Sequence, residues 1–181
     1  MGRARSPSSV PSEPPTGSTR VKMRILGVDP GTLKVGYAII EATPGRNGAV
    51  MRYLECGVIA APAREQVAVR LLAIATDLGT VIDEFSPTTL AIEQAFGGKN
   101  IHSALTLGQA RGALMLLAGQ RGLPSFEYAP ALVKRVVAGH GAATKQDVAD
   151  RVRLLFDLRT APPADAADAL AIACCHALSC L

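Results

Sequence analysis

The chain is poor in residues that build covalent or thiolate scaffolds. Of its 181 residues only Cys56, Cys174, Cys175 and Cys180 are cysteine, and no CxxC pair occurs. A disulfide framework and a structural zinc site are therefore not expected, and the thiols read as buried small hydrophobes in a reducing compartment. His102, His140 and His176 fit no ligand spacing and carry no assigned chemistry. No apolar run reaches the roughly 18 residues that span a bilayer, so no membrane partner is expected. Residues 1–22 lack the apolar stretch of a secretory signal, and their four prolines argue against an amphipathic transit helix. This Ser-, Pro- and Arg-rich segment is expected to be a disordered basic tail ahead of one domain at 23–181. No internal repeat is present.

Hydrophobic residues make up 49% of the chain, enough for a packed core in one domain. The formal net charge is +4, unevenly spread. The tail holds Arg3, Arg5, Arg20 and Lys22 against Glu13, and residues 97–160 hold nine Lys/Arg against four Asp/Glu. The segments 23–96 and 161–181 are each net acidic by two charges. A basic stretch between acidic flanks suits a polyanion-binding surface beside a carboxylate cluster, although ordinary surface charge has the same look.

Periodicity gives the elements. Residues 24–29 (RILGVD), 35–42 and 49–59 read as three successive strands, suggesting an antiparallel meander. Apolar spacing turns helical over roughly 64–84, and Pro87 ends that segment. TLAIE (89–93) reads as a fourth strand, followed by a helix over 104–120 capped by Ser103. A fifth strand is expected at 125–129, with helices near 130–137, 145–157 and 165–178. The strand–helix–strand units at 89–129 imply parallel neighbours, hence an α/β fold with a mixed five-stranded sheet flanked by helices.

Four acids stand out by position. Asp29 and Glu93 each close an apolar strand, and ligand sites in open α/β sheets gather at such ends. Neighbouring strands would bring both within reach of one ion. Asp165 and Asp168 are spaced i, i+3, on one face of the last helix and in its first turn. Asp168 is followed by ALAIACC, and a carboxylate in so apolar a helix calls for a cation. Each acid alone has a plainer reading: Asp165 as a first-turn acid, Asp29 as a turn former before Pro30-Gly31. Together, as oxygen ligands without His or Cys, they suit Mg²⁺ or Mn²⁺. Two such ions about 4 Å apart can activate water and stabilise the leaving oxygen at a phosphodiester.

VDPGT (28–32), AIEQAFGGKN (91–100), SALTLGQARG (103–112) and DAADALAIA (165–173) strongly resemble the RuvC family of bacterial Holliday junction resolvases. The likeness covers essentially all of 23–178. It implies an RNase H-like fold (three antiparallel, then parallel strands), a cytoplasmic homodimer, and metal-dependent paired nicking of four-way junction DNA alongside RuvA and RuvB. By motif, Asp29, Glu93, Asp165 and Asp168 fall on the catalytic, metal-holding acids. The first acid of the final pair is His in some relatives. Lys134 and Lys145 match basic residues expected to hold the scissile strand, Lys145 following the Gly-rich stretch 138–144. Thr144 and Asp147 form a plausible capping box there. Phe96, three residues after Glu93 in a Gly-rich loop, suits stacking on an unpaired base near the crossover, or plain anchoring of its loop. Gly108 and Gly112 suit helix–helix contact between subunits, or packing on the sheet.

Other classes fit less well. Asp29-Pro30-Gly31-Thr32 is shared with the first phosphate loop of sugar kinases and actin-like ATPases, but the chain is short for two lobes and no Gly-Gly follows its final acids. A junction binder without catalysis would need a broken acidic set, and a further class is a related resolvase-like nuclease acting on RNA.

Overall fold

The computed structural model describes residues 22–46, 48–94 and 101–181. The elements run β1 (Met23–Asp29), β2 (Lys34–Gly45), β3 (Gly48–Ala60), α1 (Val67–Phe85), β4 (Thr89–Glu93), α2 (Ile101–Gln120), β5 (Ser125–Tyr128), α3 (Pro130–Ala138), α4 (Lys145–Leu155) and α5 (Ala164–Cys180). One mixed sheet has the order β3-β2-β1-β4-β5. The first three strands are antiparallel, and β4 and β5 join parallel to β1. The expected mixed sheet is thus present. Among the described residues no helix is long and apolar enough to cross a membrane.

The period-two alternation of the strands divides the core into two layers. Leu26, Val28, Ile39, Leu90 and Ile92 pack on one face against Ile74, Leu78 and Ile82 of α1 and Leu114 and Leu117 of α2. Ile25, Ala38, Ile40 and Ala91 pack on the other face against α3, α4 and α5. Helix α5 is buried along nearly its whole length, from Ala166 to Ala177. Its small residues and Leu170 and Ile172 let it lie close on the strands, each large aliphatic contributing roughly 1.5–3 kcal/mol. His176 is fully buried there, its Nδ1 2.6 Å from the Tyr128 hydroxyl.

Three local expectations are corrected. Ser103 does not cap α2, because the helix begins at Ile101. Cys174 and Cys175 are buried, but Cys56 is only half-buried and Cys180, at the helix end, is exposed. Gly108 and Gly112 do not pack on the sheet: both are exposed, and a Cβ added at either would meet nothing within 4 Å.

Candidate active site

Asp29 and Glu93 are brought together by strand parity and register. Along β1, Ile25 and Gly27 face α5, so the alternation carries Asp29 to the same side. Along β4, Ala91 faces that layer, and so does Glu93 two residues on. The parallel register aligns Val28 with Ile92, leaving Asp29 and Glu93 as the next pair on strands roughly 4.8 Å apart.

Helix α5 brings the other two acids, and two glycines let it come close enough. Gly36 of β2 lies opposite Asp29 in the register. A Cβ at Gly36 would overlap the Asp165 carbonyl, and one at Gly27 would overlap the Ala169 carbonyl. The helix N-terminus therefore rests on bare backbone, with Asp165 and Asp168 over the ends of β1 and β2. Sequence reasoning passed over these two positioning residues. The available signal was glycine inside a strand, which marks a close backbone approach.

The acids are near enough to act on one another. Asp29 is pushed up to about 7, first by burial and then by the charges of Glu93 and Asp168, with a smaller contribution from Asp165. Burial, followed by the charge of Asp168, raises Glu93. Lys145 opposes both shifts. Its Nζ donates a 2.7 Å hydrogen bond to Asp168 Oδ2, a contact that holds the ammonium above its ordinary value. Asp168 is thus not enclosed in the core as its apolar neighbours suggested. Its side chain keeps 25% of its accessible surface and faces a cation, because it lies at the open edge of the helix.

Lys145 is held by the expected capping box. Thr144 N–H donates to Asp147 Oδ2 at 2.8 Å, and Asp147 N–H donates to Thr144 Oγ1 at 3.1 Å. Lys134 of α3 joins Lys145, Glu93 and Asp168 around a cavity of about 310 Å³ with an apolar floor of Val133, Val148 and Ile172. Asp29, Glu93, Asp165, Asp168, Lys134 and Lys145 therefore converge at one end of the sheet. Phe96 lies outside the described residues.

The donor set suits a hard divalent cation: carboxylate oxygens, without thiolate or imidazole, which repel one another when all are charged. Among the described residues no three such side chains are already gathered into a metal shell. Burial and then mutual repulsion raise Asp29, and the repulsion is relieved by added positive charge, which a bound ion would supply.

The family model described as crossover junction endodeoxyribonuclease RuvC matches residues 25–176. The chain belongs to the RuvC family. Among relatives named crossover junction endodeoxyribonuclease RuvC, that of Chloroflexus aggregans is 46% identical over 156 residues, covering 86% of this chain and 93% of the relative. That of a Roseiflexus species is 44% identical over 84% of this chain and 89% of its own length. Among solved structures, Thermus thermophilus RuvC in complex with a Holliday junction substrate superposes with a TM-score of 0.79 at 35% identity, covering 87% of this chain and 94% of that one. A yeast mitochondrial Holliday junction resolvase shares the fold at a TM-score of 0.55 and 16% identity. The expected RuvC-like architecture is thus present.

Proposed function

We propose that this chain is a structure-selective endodeoxyribonuclease that resolves Holliday junctions by paired symmetric nicking in DNA recombination and repair. The observation that carries the reading is the convergence of Asp29, Glu93, Asp165 and Asp168 from β1, β4 and α5 on one end of the sheet, beside Lys134 and Lys145. Membership of the RuvC family supports the substrate.

The four carboxylates hold two Mg²⁺ or Mn²⁺ ions. Such ions, when bound, lower the pKa of the attacking water and neutralise the leaving oxygen. Lys134 and Lys145 take the scissile strand from the opposite wall of the cavity, and Lys145 balances the acids before DNA arrives. Phe96 stacks on an unpaired base at the crossover.

The enzyme acts as a homodimer in the bacterial cytoplasm, with RuvA and RuvB as branch-migration partners. Two symmetric cuts need two active sites, and α2 offers the surface between them. Ile101, Leu105 and Leu116 are exposed large hydrophobics on the helix face that also carries Gly108, Gly112 and Gly119. Ala110, Leu114 and Leu117 hold the opposite side of α2 in the core.

A synthetic mobile four-way junction, incubated with Mg²⁺ or Mn²⁺ beside a linear duplex and an RNA hairpin, tests the reading. Paired symmetric nicks confined to the junction are expected. Equal cutting of the linear duplex, or full activity in Asp29→Asn, would refute it. The dimer is tested by sedimentation of Leu105→Lys, which should release monomers.

A further inference from the structure

A second cavity, of about 560 Å³, opens on the other side of the β1–β2 turn. Its walls include Gly31, Thr32 and Leu33 of that turn, Arg70 in the first turn of α1, and Thr106 and Gln109 of α2. Gly31 follows Asp29 by two residues and Leu33 by four, so this cavity begins within roughly 7 Å of chain from the catalytic acid. No carboxylate is among the described lining residues. Among the described lining residues Arg70 carries the fixed charge, with the His102 imidazole in the same wall.

Arg70 is only partly exposed, and its Nε is shut off from solvent without a hydrogen-bond partner. The ion pairs of the described residues involve Lys22, Arg24, Arg52, Arg111, Arg121 and Lys145, and none involves Arg70. Arg111 differs in its partner. That arginine also has a buried unpartnered Nε, but its terminal nitrogen is engaged by Glu127 at 2.7 Å. A half-buried guanidinium without a carboxylate is costly in the free protein, and its fork of donors matches a phosphate. The Thr32 hydroxyl and the Gln109 amide add neutral donors to the same walls, while the Thr106 hydroxyl donates to the His102 carbonyl at 2.9 Å.

We propose that Arg70 is a phosphate anchor: its guanidinium takes a backbone phosphate of the bound DNA strand, flanking the phosphate presented to Asp29. The inference rests on the resolvase reading and adds a positioning residue to it. Arg70 lies on the α1–α2 side of the turn, whereas Lys134 and Lys145 lie on the α3–α4 side. A strand gripped from both sides is fixed in register over the acids.

The test measures junction binding by the full chain in EDTA, where cutting is off, across a salt series. Arg70→Gln should weaken binding several-fold and lower the slope of log K against log salt by about 1, the loss of one phosphate contact. Arg70→Lys should keep most of the slope. A scan of single neutral methylphosphonates along the strand should reveal one position whose substitution weakens the wild type but adds nothing in Arg70→Gln. The thermal midpoint of Arg70→Gln should equal or exceed that of the wild type. An unchanged slope with no such position overturns the anchor, and an unchanged slope with a lowered midpoint assigns Arg70 to packing. A wild type that nicks junctions while Arg70→Gln keeps its slope refutes the anchor alone. A wild type that neither binds nor nicks junctions refutes both readings.

Discussion

The Lys145 ammonium lies 2.7 Å from Asp168 Oδ2 and lowers the pKa of both Asp29 and Glu93. One lysine from α4 therefore partly neutralises acids from three other elements. A divalent ion entering the cluster competes with it for the same carboxylates. Lys145→Gln should bind Mn²⁺ several-fold more tightly by calorimetry, yet nick junctions on the order of 10²-fold more slowly, because the phosphate loses a cation. Weaker Mn²⁺ binding in that variant would show that the lysine organises the acids instead of competing with ions.

Asp29 should make metal binding pH-dependent. Its carboxyl is pushed up to about 7, so below that pH a proton must leave before an ion can bind. Mn²⁺ affinity is expected to fall steadily from pH 8 to pH 6, with proton release on binding. The stability consequence has the opposite sense from that of a salt-bridged acid. The folded state holds its proton more tightly than the unfolded chain, so this group lowers stability as pH rises from about 4 to 7. Asp29→Asn should raise the metal-free thermal midpoint by a few degrees at pH 8, with no gain at pH 3. A pH-independent gain would place its cause elsewhere than in charge.

Gly36 governs how closely α5 seats. Even the Cβ of alanine would overlap the Asp165 carbonyl, so the helix end must shift and move both acids with it. A misplacement of about 1 Å can cost 10²-fold in rate, and Gly36→Ala is expected to lose at least that much nicking. Junction binding should stay within a few-fold, since Lys134, Lys145 and Arg70 are untouched. Retained activity would mean that the sheet, and not the helix, absorbs the overlap.

At the other end of the sheet Glu41 is 4% exposed and accepts from three cations: Lys22 at 2.6 Å, Arg24 at 2.8 Å, and Arg52 through Nε at 3.0 Å and a second, terminal nitrogen. These hydrogen bonds hold its carboxyl down at about 2. Because the folded value lies below the ordinary 4.5, the stabilisation is complete above about 4.5 and is lost as pH falls through about 2. Glu41→Gln should cost roughly 1–3 kcal/mol at neutral pH by denaturant unfolding. The difference from wild type should close near pH 2. A constant difference down to pH 2 would count against the charge argument.

The four acids that converge at one end of the sheet were legible because each is marked by its local sequence. An apolar strand ending in an acid marks Asp29 and Glu93, and an i, i+3 pair in a first turn marks Asp165 and Asp168. The antiparallel meander and the parallel pairing also followed, since short connections force the one and helical crossovers the other, but the adjacency of β1 and β4 did not. The Thr144 and Asp147 cap was readable for the same reason: its two partners are three residues apart.

Contacts between residues far apart in the chain were decided by the tertiary structure. Lys145 meets Asp168 across 23 positions, and Gly36 meets Asp165 across 129, so no window of sequence contains either pair. The outward face of α2 was hidden for a related reason. Leu105 and Leu116 lie opposite Ala110 and Leu114, and a helix apolar on both sides does not reveal which side the core takes. Local propensity and periodicity fixed which acids end which elements. The approach of α5 to a sheet bare at Gly27 and Gly36 decided that they form one site, because only packing sets the distance at which their charges act.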